Sequence, residues 1–349
     1  MTDPTAQPDP FSLLAPPLQR AIWDMRWPSL RPIQQDAIRA WHDPASPDLL
    51  IMAQTAGGKT EAAFLPVLSH IAESPDASVR ALYIGPLKAL INDQFQRLEL
   101  LCRHMHLPVH RWHGDVGDSA KAALTTSPSG VLLITPESLE SLLINRTTHL
   151  PRLFSHLAAL VIDELHAFLA SERGLHLASL LTRLTPLAAS RPRRIGLSAT
   201  IGDPPAAARY LNPDAPETVR TIESKGEEKQ LLLRIHWFER PEHNGPSHAA
   251  PVDRPTAPAP DTTRAIAADL VHHFHASSNL VFCNSKADIE LLADAANTLC
   301  RARALEERFH VHHASISRAH REDAEAEMKD PAPDTALCSS TLEMGIDIG

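Results

Sequence analysis

Ala53-Gln54-Thr55-Ala56-Gly57-Gly58-Lys59-Thr60 follows the apolar run Leu49-Leu50-Ile51-Met52 and leads into the helix-favouring Glu61-Ala62-Ala63-Phe64-Leu65. The order is strand, phosphate loop, helix. A triphosphate needs hydrogen-bond donors on several oxygens at once. Small residues let backbone N–H groups curl around it, and a helix N-terminus adds a favourable dipole. In such a loop Lys59 reaches the β- and γ-phosphates and the Thr60 hydroxyl holds Mg²⁺. The pattern G-x-x-x-x-G-K-[ST] is met with Ala53 at its first position.

Two further stretches give the loop its context. Leu160-Val161-Ile162-Asp163-Glu164-Leu165-His166 is an apolar strand ending in an acidic pair. A Mg²⁺-dependent ATPase needs such a pair opposite its phosphate loop: Asp163 to hold the ion through water, Glu164 to orient and deprotonate the attacking water. Gly196-Leu197-Ser198-Ala199-Thr200 ends a strand with two hydroxyls that can hydrogen-bond the acidic turn and report the state of the γ-phosphate.

The bulk numbers bound the rest. The chain has 349 residues, enough for about two domains. Hydrophobic residues make up 43% and charged residues 21%, as in an ordinary globular protein with a sizeable core. The net charge of −9 means that any nucleic-acid-binding field is local, in a groove. The cysteines, Cys102, Cys283, Cys300 and Cys338, have no C-x-x-C spacing, so neither a zinc site nor a disulfide framework is indicated, and a reducing cytoplasm fits. The 20 histidines are scattered and are assigned no metal. The acidic, proline-rich start is unlike a signal peptide, and no apolar run can span a bilayer.

Residues 1–17 read as a flexible lead-in. Leu18–Trp41 has helical spacing broken at Pro28 and Pro32. Strands are expected at Leu49–Ala53, Ala81–Ile84, Val109–Trp112, Val131–Ile134, Ala159–Ile162 and Ile195–Leu197, with helices between them at Thr60–Glu73, Leu87–His106, Glu137–Leu143 and Leu175–Leu187. This alternation predicts an α/β fold with a parallel sheet covered on both faces. Leu231–Phe238 could be a strand leading out of a first domain that covers 18–240. A proline-rich linker or loop follows at 241–261. A second βα pattern fills 262–349: helices at Arg264–His275, Lys286–Leu299 and Arg318–Met328, strands at Asn279–Cys283, Phe309–His312 and Thr335–Cys338.

Taken in order, the three motifs resemble those of superfamily 2 helicases, the broad DEAD/DEAH-box kin. The Asp-Glu-Leu-His form, followed by Arg173-Gly174 and Leu177 to Leu184, is most similar to the large helicase-related (Lhr-like) branch. So are Thr135-Pro136-Glu137-Ser138-Leu139, Ser198-Ala199-Thr200-Ile201-Gly202 and Ser340-Thr341-Leu342-Glu343-Met344-Gly345-Ile346-Asp347-Ile348-Gly349. The resemblance covers roughly residues 20 to 349. It implies two RecA-like domains with parallel sheets flanked by helices, the second incomplete, and an ATP- and Mg²⁺-dependent helicase or translocase acting on single-stranded or tailed duplex DNA or RNA. The pathway, whether DNA repair, RNA processing or phage defence, stays open. Neither membrane nor zinc is implied.

The resemblance also assigns residues. Trp27-Pro28-Ser29-Leu30-Arg31-Pro32-Ile33-Gln34 is similar to the upstream glutamine motif, where Gln34 reads the adenine edge by a two-point amide contact. The cofactor set is Gln34, Thr55, Ala56, Gly57, Gly58, Lys59 and Thr60, with Gly345 and Asp347 facing the nucleotide from the second domain. Coupling falls to His166, Ser198 and Thr200. Pro86-Leu87-Lys88-Ala89-Leu90, Trp112-His113-Gly114-Asp115 and Thr135-Pro136 resemble strand-contacting motifs, giving Lys88, Gly114 and Thr135 as backbone contacts. Leu280-Val281-Phe282-Cys283-Asn284-Ser285 resembles the opening strand of the second domain and adds Asn284 and Ser285; Thr341 completes the set. His312-His313-Ala314-Ser315 resembles a His-His-Gly-Ser element and, lacking a cysteine or carboxylate in ligand spacing, is not read as a metal site.

Two departures accompany these matches. Gln54 and Ala56 stand where the family usually has proline and glycine, and both still permit a nest of N–H groups. Family members also place a Gln-x-x-Gly-Arg-x-Gly motif, whose arginines reach the γ-phosphate, after the Gly-Ile-Asp-Ile-Gly run, and this sequence ends first. The expectation is a fragment of a longer protein or a truncated form. The alternative to a motor is then a nucleotide-dependent binding module with little turnover.

Overall fold

The computed structural model describes residues 8–54, 57–73, 77–199, 201–224, 232–238, 261–313 and 333–339. The chain divides into two compact units, Met1–Lys229 and Gln230–Gly349.

The first unit is built on seven strands: β1 (Asp48–Met52), β2 (Ala81–Ile84), β3 (Val109–Trp112), β4 (Val131–Ile134), β5 (Ala159–Ile162), β6 (Arg193–Ser198) and β7 (Val219–Glu223). They lie in the order β3-β4-β2-β5-β6-β1-β7, and every pairing is parallel. Every residue of β1, β2, β4 and β5 is buried, which is why these strands, Asp48 aside, read as unbroken apolar runs. The connecting helices are α1 (Pro16–Asp24), α2 (Pro32–His42), α3 (Lys59–Ala72), α4 (Lys88–Arg103), α5 (Asp118–Thr126), α6 (Pro136–Asn145), α7 (Leu150–Phe154), α8 (His166–Leu169), α9 (Glu172–Leu184) and α10 (Pro204–Leu211).

The two-residue period of the strands splits the core into two layers. Leu49, Ile51, Tyr83, Leu133, Val161 and Leu197 face one side, with Phe64 of α3, Ile38 of α2 and Leu18 of α1. Leu50, Leu82, Leu132, Ile134, Leu160 and Ile162 face the other, with Leu139 of α6, Phe154 of α7 and Leu180 of α9. Each fully buried Leu, Ile or Phe contributes about 1.5–3 kcal/mol of apolar transfer.

A polar knot closes the N-terminal edge of the sheet. The wholly buried Asp48 carboxylate accepts from Arg191 Nη1 and Nη2 at 3.0 and 2.8 Å and from the Arg194 amide at 2.7 Å. Beside it, the Arg193 guanidinium lies 4.1 Å from the Trp41 ring centroid and donates to the carbonyls of Pro47, Trp41 and Ser46. Together these tie β1 to β6 and the end of α2 to both.

Several sequence expectations need correction. Residues 8–17 are not a loose lead-in. A 3₁₀ turn at Pro10–Leu13 precedes α1, and Leu14 and Ala15 are buried, with the Ala15 amide donating to Ser69 Oγ at 2.7 Å. The break expected at Pro28 and Pro32 is present: α1 ends at Asp24 and Pro32 starts α2, where a first-turn residue needs no N–H donor. β7, α5, α7, α8 and α10 were not expected: β7 is a half-exposed edge strand, α5 is alanine-rich, and α7 and α8 are only five and four residues long. Residues 232–238 form no strand. They have no ladder partner among the described residues, and Leu232, Leu233, Ile235 and Trp237 are exposed.

The second unit contains β8 (Asn279–Phe282), β9 (Phe309–His312) and β10 (Thr335–Cys338), parallel and ordered β8-β10-β9, with α11 (Asp261–Phe274) and α12 (Lys286–Ala302). Its core holds Ala267, Val271, Ile289, Ala296, Phe309 and Leu337. The expected helix at 318–328 and the linker, up to the start of α11 at Asp261, lie outside the described residues. Among the described residues, no helix is long and apolar enough to cross a membrane.

Asp48 gives a direct test of the knot. Asp48→Ala should lower the unfolding free energy by about 2–3 kcal/mol, since it removes hydrogen bonds to a charged group and strands the Arg194 amide. Urea unfolding followed by circular dichroism measures this; a change below about 0.5 kcal/mol would show that the knot contributes nothing to stability.

Candidate active site

A strand's C-terminal end delivers the residue that follows it to one edge of a parallel sheet. Here β1, β5 and β6 deliver the phosphate loop, Asp163-Glu164 and Ser198, and the three strands are adjacent in the order β5-β6-β1. The sequence-predicted nucleotide residues are therefore brought together, except those outside the described residues: Thr55, Ala56, Thr200, Gly345 and Asp347.

The loop turns tightly. The Gly57 amide donates to the Gln54 carbonyl at 2.9 Å, and Gly58 caps α3 in the left-handed region, φ 82°, where glycine is favoured. Lys59 and Thr60 then open α3. Gln34 packs directly on this loop, its Nε2 sitting 3.0 Å from where a Cβ on Gly58 would stand. Its Oε1 accepts the Arg31 amide at 2.9 Å, closing the first turn of α2. The amide carbonyl is thus already engaged as a helix cap, and a two-point adenine contact requires it to accept a second donor.

The acidic turn is held from both sides. The Leu165 amide donates to the Leu197 carbonyl at 2.8 Å, pinning the turn to β6, and Glu164 adopts φ 46°. Asp163 is buried and accepts the Tyr83 hydroxyl through Oδ2 and the Glu164 amide through Oδ1. Burial and the neighbouring carboxylate together push the Tyr83 phenol well above its ordinary range, so it serves only as a donor. Lys59 Nζ lies 3.9 Å from Glu164 Oε1, both side chains nearly enclosed at 10% and 12% exposure. Burial, and then the Asp163 charge, raise the Glu164 carboxyl to about 7 against the opposing pull of Lys59. His166 Nδ1 stands 3.3 Å from Glu164 Oε2 and 3.0 Å from Ser198 Oγ, so one imidazole bridges the acidic turn and the end of β6.

The expected ligands suit Mg²⁺: the Asp163 carboxylate and the Thr60 hydroxyl both offer oxygen, the donor that this hard cation takes. Both Asp163 oxygens already accept a protein donor, which fits a hydrated ion held through its waters.

The strand-contacting candidates follow β2, β3 and β4, adjacent in the order β3-β4-β2. Lys88, at the first turn of α4, donates to Asp115 Oδ1 at 3.1 Å and lies over Gly114, 3.2 Å from where a Cβ would stand. Thr135 is buried and caps α6, accepting the Ser138 amide at 3.4 Å. Ser285 likewise caps α12, accepting the Asp288 amide at 3.1 Å, and Asn284 beside it is exposed. Both hydroxyls are spent on caps, so these positions offer a ligand mainly the first amides of a helix. Thr341 lies outside the described residues. His313 is buried against Glu290 at 3.0 Å.

Sequence reading gave no role to Tyr83 or Arg173. Arg173 Nε and Nη2 hold Glu137 at 2.6 and 3.0 Å, and Nη2 also donates to the Pro86 carbonyl at 2.6 Å. One guanidinium thus joins α9 to the first turn of α6 and to the loop that follows β2. Gly174 follows it because a Cβ there would sit 1.7 Å from the Phe168 carbonyl oxygen. The Arg173-Gly174 pair was visible in the sequence as a resemblance, without its geometry.

Glu164 carries a stability consequence. Its folded value near 7 exceeds the ordinary 4.5, so stability falls as pH rises through that interval. Without nucleotide or Mg²⁺, Glu164→Gln should stabilise the protein at pH 8 by up to roughly 3 kcal/mol, with the gain vanishing near pH 4. Thermal melts at both pH values check this; an equal shift at both would contradict it.

Residues 31–208, about half of the chain, match the DEAD/DEAH box helicase family. The Lhr helicase/uracil glycosylase of Escherichia coli (strain K12) is 28% identical over 397 residues, covering 98% of this chain and 25% of the relative. The ATP-dependent helicase Lhr-Core of Methanothermobacter thermautotrophicus is 27% identical over 321 residues, covering 86% of this chain and 36% of the relative. The Mycobacterium smegmatis helicase Lhr bound to ssDNA and AMP-PNP superposes with a TM-score of 0.78 at 26% identity, covering 98% of this chain and 43% of that one. The chain therefore spans less than half the length of these relatives. On the family match, and with the phosphate loop and acidic turn meeting at one sheet edge, the chain belongs to the DEAD/DEAH box helicase family.

Proposed function

We propose that this chain is the motor part of an Lhr-like helicase that couples ATP hydrolysis to movement along a single strand. The observation that supports this best is the cluster of Lys59, Glu164, His166 and Ser198 at the ends of three adjacent strands.

In this reading the ligand is ATP with Mg²⁺. Gly57, Gly58 and Lys59, with Thr55 and Ala56, cradle the phosphates; Thr60 and Asp163 hold the ion, and Gln34 faces the base. Bound Mg²⁺ would supply charge neutralisation on the phosphate oxygens. Glu164, with a proton affinity near neutrality, suits a general base for the attacking water. His166, between Glu164 and Ser198, would pass the state of that site to β6, with Thr200, Gly345 and Asp347 completing the set. Lys88, Gly114, Thr135, Asn284, Ser285 and Thr341 would contact the strand's backbone, which positions it without reading sequence. Single-stranded DNA is the proposed substrate, because the Mycobacterium smegmatis Lhr helicase is described bound to ssDNA. DNA repair in the cytoplasm is the proposed setting; Cys102, Cys283, Cys300 and Cys338 form no disulfide, which suits a reducing compartment.

Two measurements test this. Lys59→Ala should weaken Mg²⁺-ATP binding at least tenfold and abolish any hydrolysis stimulated by single-stranded DNA; unchanged binding and turnover would sink the proposal. Lys88→Ala should weaken single-strand binding across unrelated sequences and reduce the slope of log affinity against log salt by about 0.7, as loss of one phosphate contact requires. An unchanged slope would remove Lys88 from the interface.

A further inference from the structure

We propose that His236, Asp269 and His273 form a binding site for one divalent transition-metal ion, with Zn²⁺ the natural probe. All three belong to the second unit, and the inference is independent of the ATP site.

Asp269 and His273 are four residues apart on α11, so they share a face of the helix. His236 comes from the segment 232–238 and meets them there. His236 Nδ1 is 2.9 Å from Asp269 Oδ2, and His273 Nε2 is 3.6 Å from Asp269 Oδ1. One ligand atom from each residue lies within 4.8 Å of the other two. Ligands at about 2.0–2.1 Å around a tetrahedral zinc are themselves about 3.3 Å apart, so small side-chain rotations bring this triad to an ion. Two imidazoles and a carboxylate select zinc, copper, nickel or iron over Mg²⁺ and Ca²⁺. The side chains are 39%, 32% and 32% exposed, which leaves an entry path and open positions for water.

An ordinary surface ion pair explains this arrangement less well. Such a pair is worth about 0–1 kcal/mol and calls for one partner, whereas here two imidazoles meet one carboxylate with their rings 5.4 Å apart, edge to face. His272 meets His273 edge to face, ring centroids 4.7 Å apart, but is not among the three ligands, which makes it an internal control.

The ion would act as a clip. Leu232, Leu233, Ile235 and Trp237 are 73–86% exposed, so apolar packing does little to hold this segment on α11. His236 and Asp269 are 33 residues apart, and a bond that closes so long a loop removes much freedom from the open chain. The cysteine spacings of the sequence could not reveal this site, because its ligands are two histidines and an aspartate, one of them distant.

The full chain, stripped with chelator and exchanged into clean buffer without nucleotide, is titrated with Zn²⁺ by calorimetry. The expected result is one site of micromolar affinity or better, weakened at least tenfold by His236→Ala and by His273→Ala and unchanged by His272→Ala. Zn²⁺ should also raise the melting temperature of the parent and of His272→Ala, but not of the other two. All three positions are surface-accessible, and equal melting of the variants without metal confirms their folding. No binding, or binding that survives both substitutions, or equal loss in all three variants, would overturn the proposal.

Discussion

Strand direction constrains everything else in the first unit. Seven strands run the same way, so each loop that follows a strand opens on one edge, and the strand order alone decides which loops are neighbours. The order β5-β6-β1 gathers Asp163, Ser198 and Lys59. The order β3-β4-β2 gathers Gly114, Thr135 and Lys88. The two groups meet only at the β2–β5 seam, and there Tyr83 of β2 donates to Asp163 across it. Arg173 spans the same boundary from α9 to the loop after β2 and the first turn of α6. These side chains give the two halves of the edge a continuous physical connection.

The nucleotide edge is electrostatically poor as it stands. Two adjacent carboxylates are enclosed with a single lysine 3.9 Å from one of them. Desolvation, and then the Asp163 charge, disfavour the charged form of Glu164. The fold tolerates this because stability is concentrated elsewhere, in the apolar layers on both faces and in the Asp48 knot at the opposite edge. A ligand bearing both a cation and an anion would relieve each part of the imbalance.

Much of this was legible in the residues. β2, β4, β5 and β10 fall where expected because strands buried on both faces are mostly apolar, and the partly buried β3 and β9, which carry polar residues, also fall at their expected bounds. β7 was not legible, since an edge strand buries only part of its length and Val219 and Ile222 alone mark it. The backbone motifs Lys59, Asp163 and Ser198 could be found because their chemistry depends on local order along the chain. Tyr83 and Arg173 could not, because a buried tyrosine in an apolar strand looks like core, and the partners of Arg173 are 36 and 87 residues away. The hydroxyls of Thr135 and Ser285 show the converse: a helix cap and a ligand contact leave the same trace in a sequence.

If the chain is the motor proposed above, the ion pair between Lys88 and Asp115 would bear on how the strand is released. Both side chains are half exposed, so the pair is worth little, and a phosphate can displace the carboxylate at small cost. The carboxylate is also ready to take the lysine back when the phosphate moves on. Under the proposed function, such a built-in competitor would weaken each grip slightly and shorten its lifetime, which would favour stepping over permanent attachment.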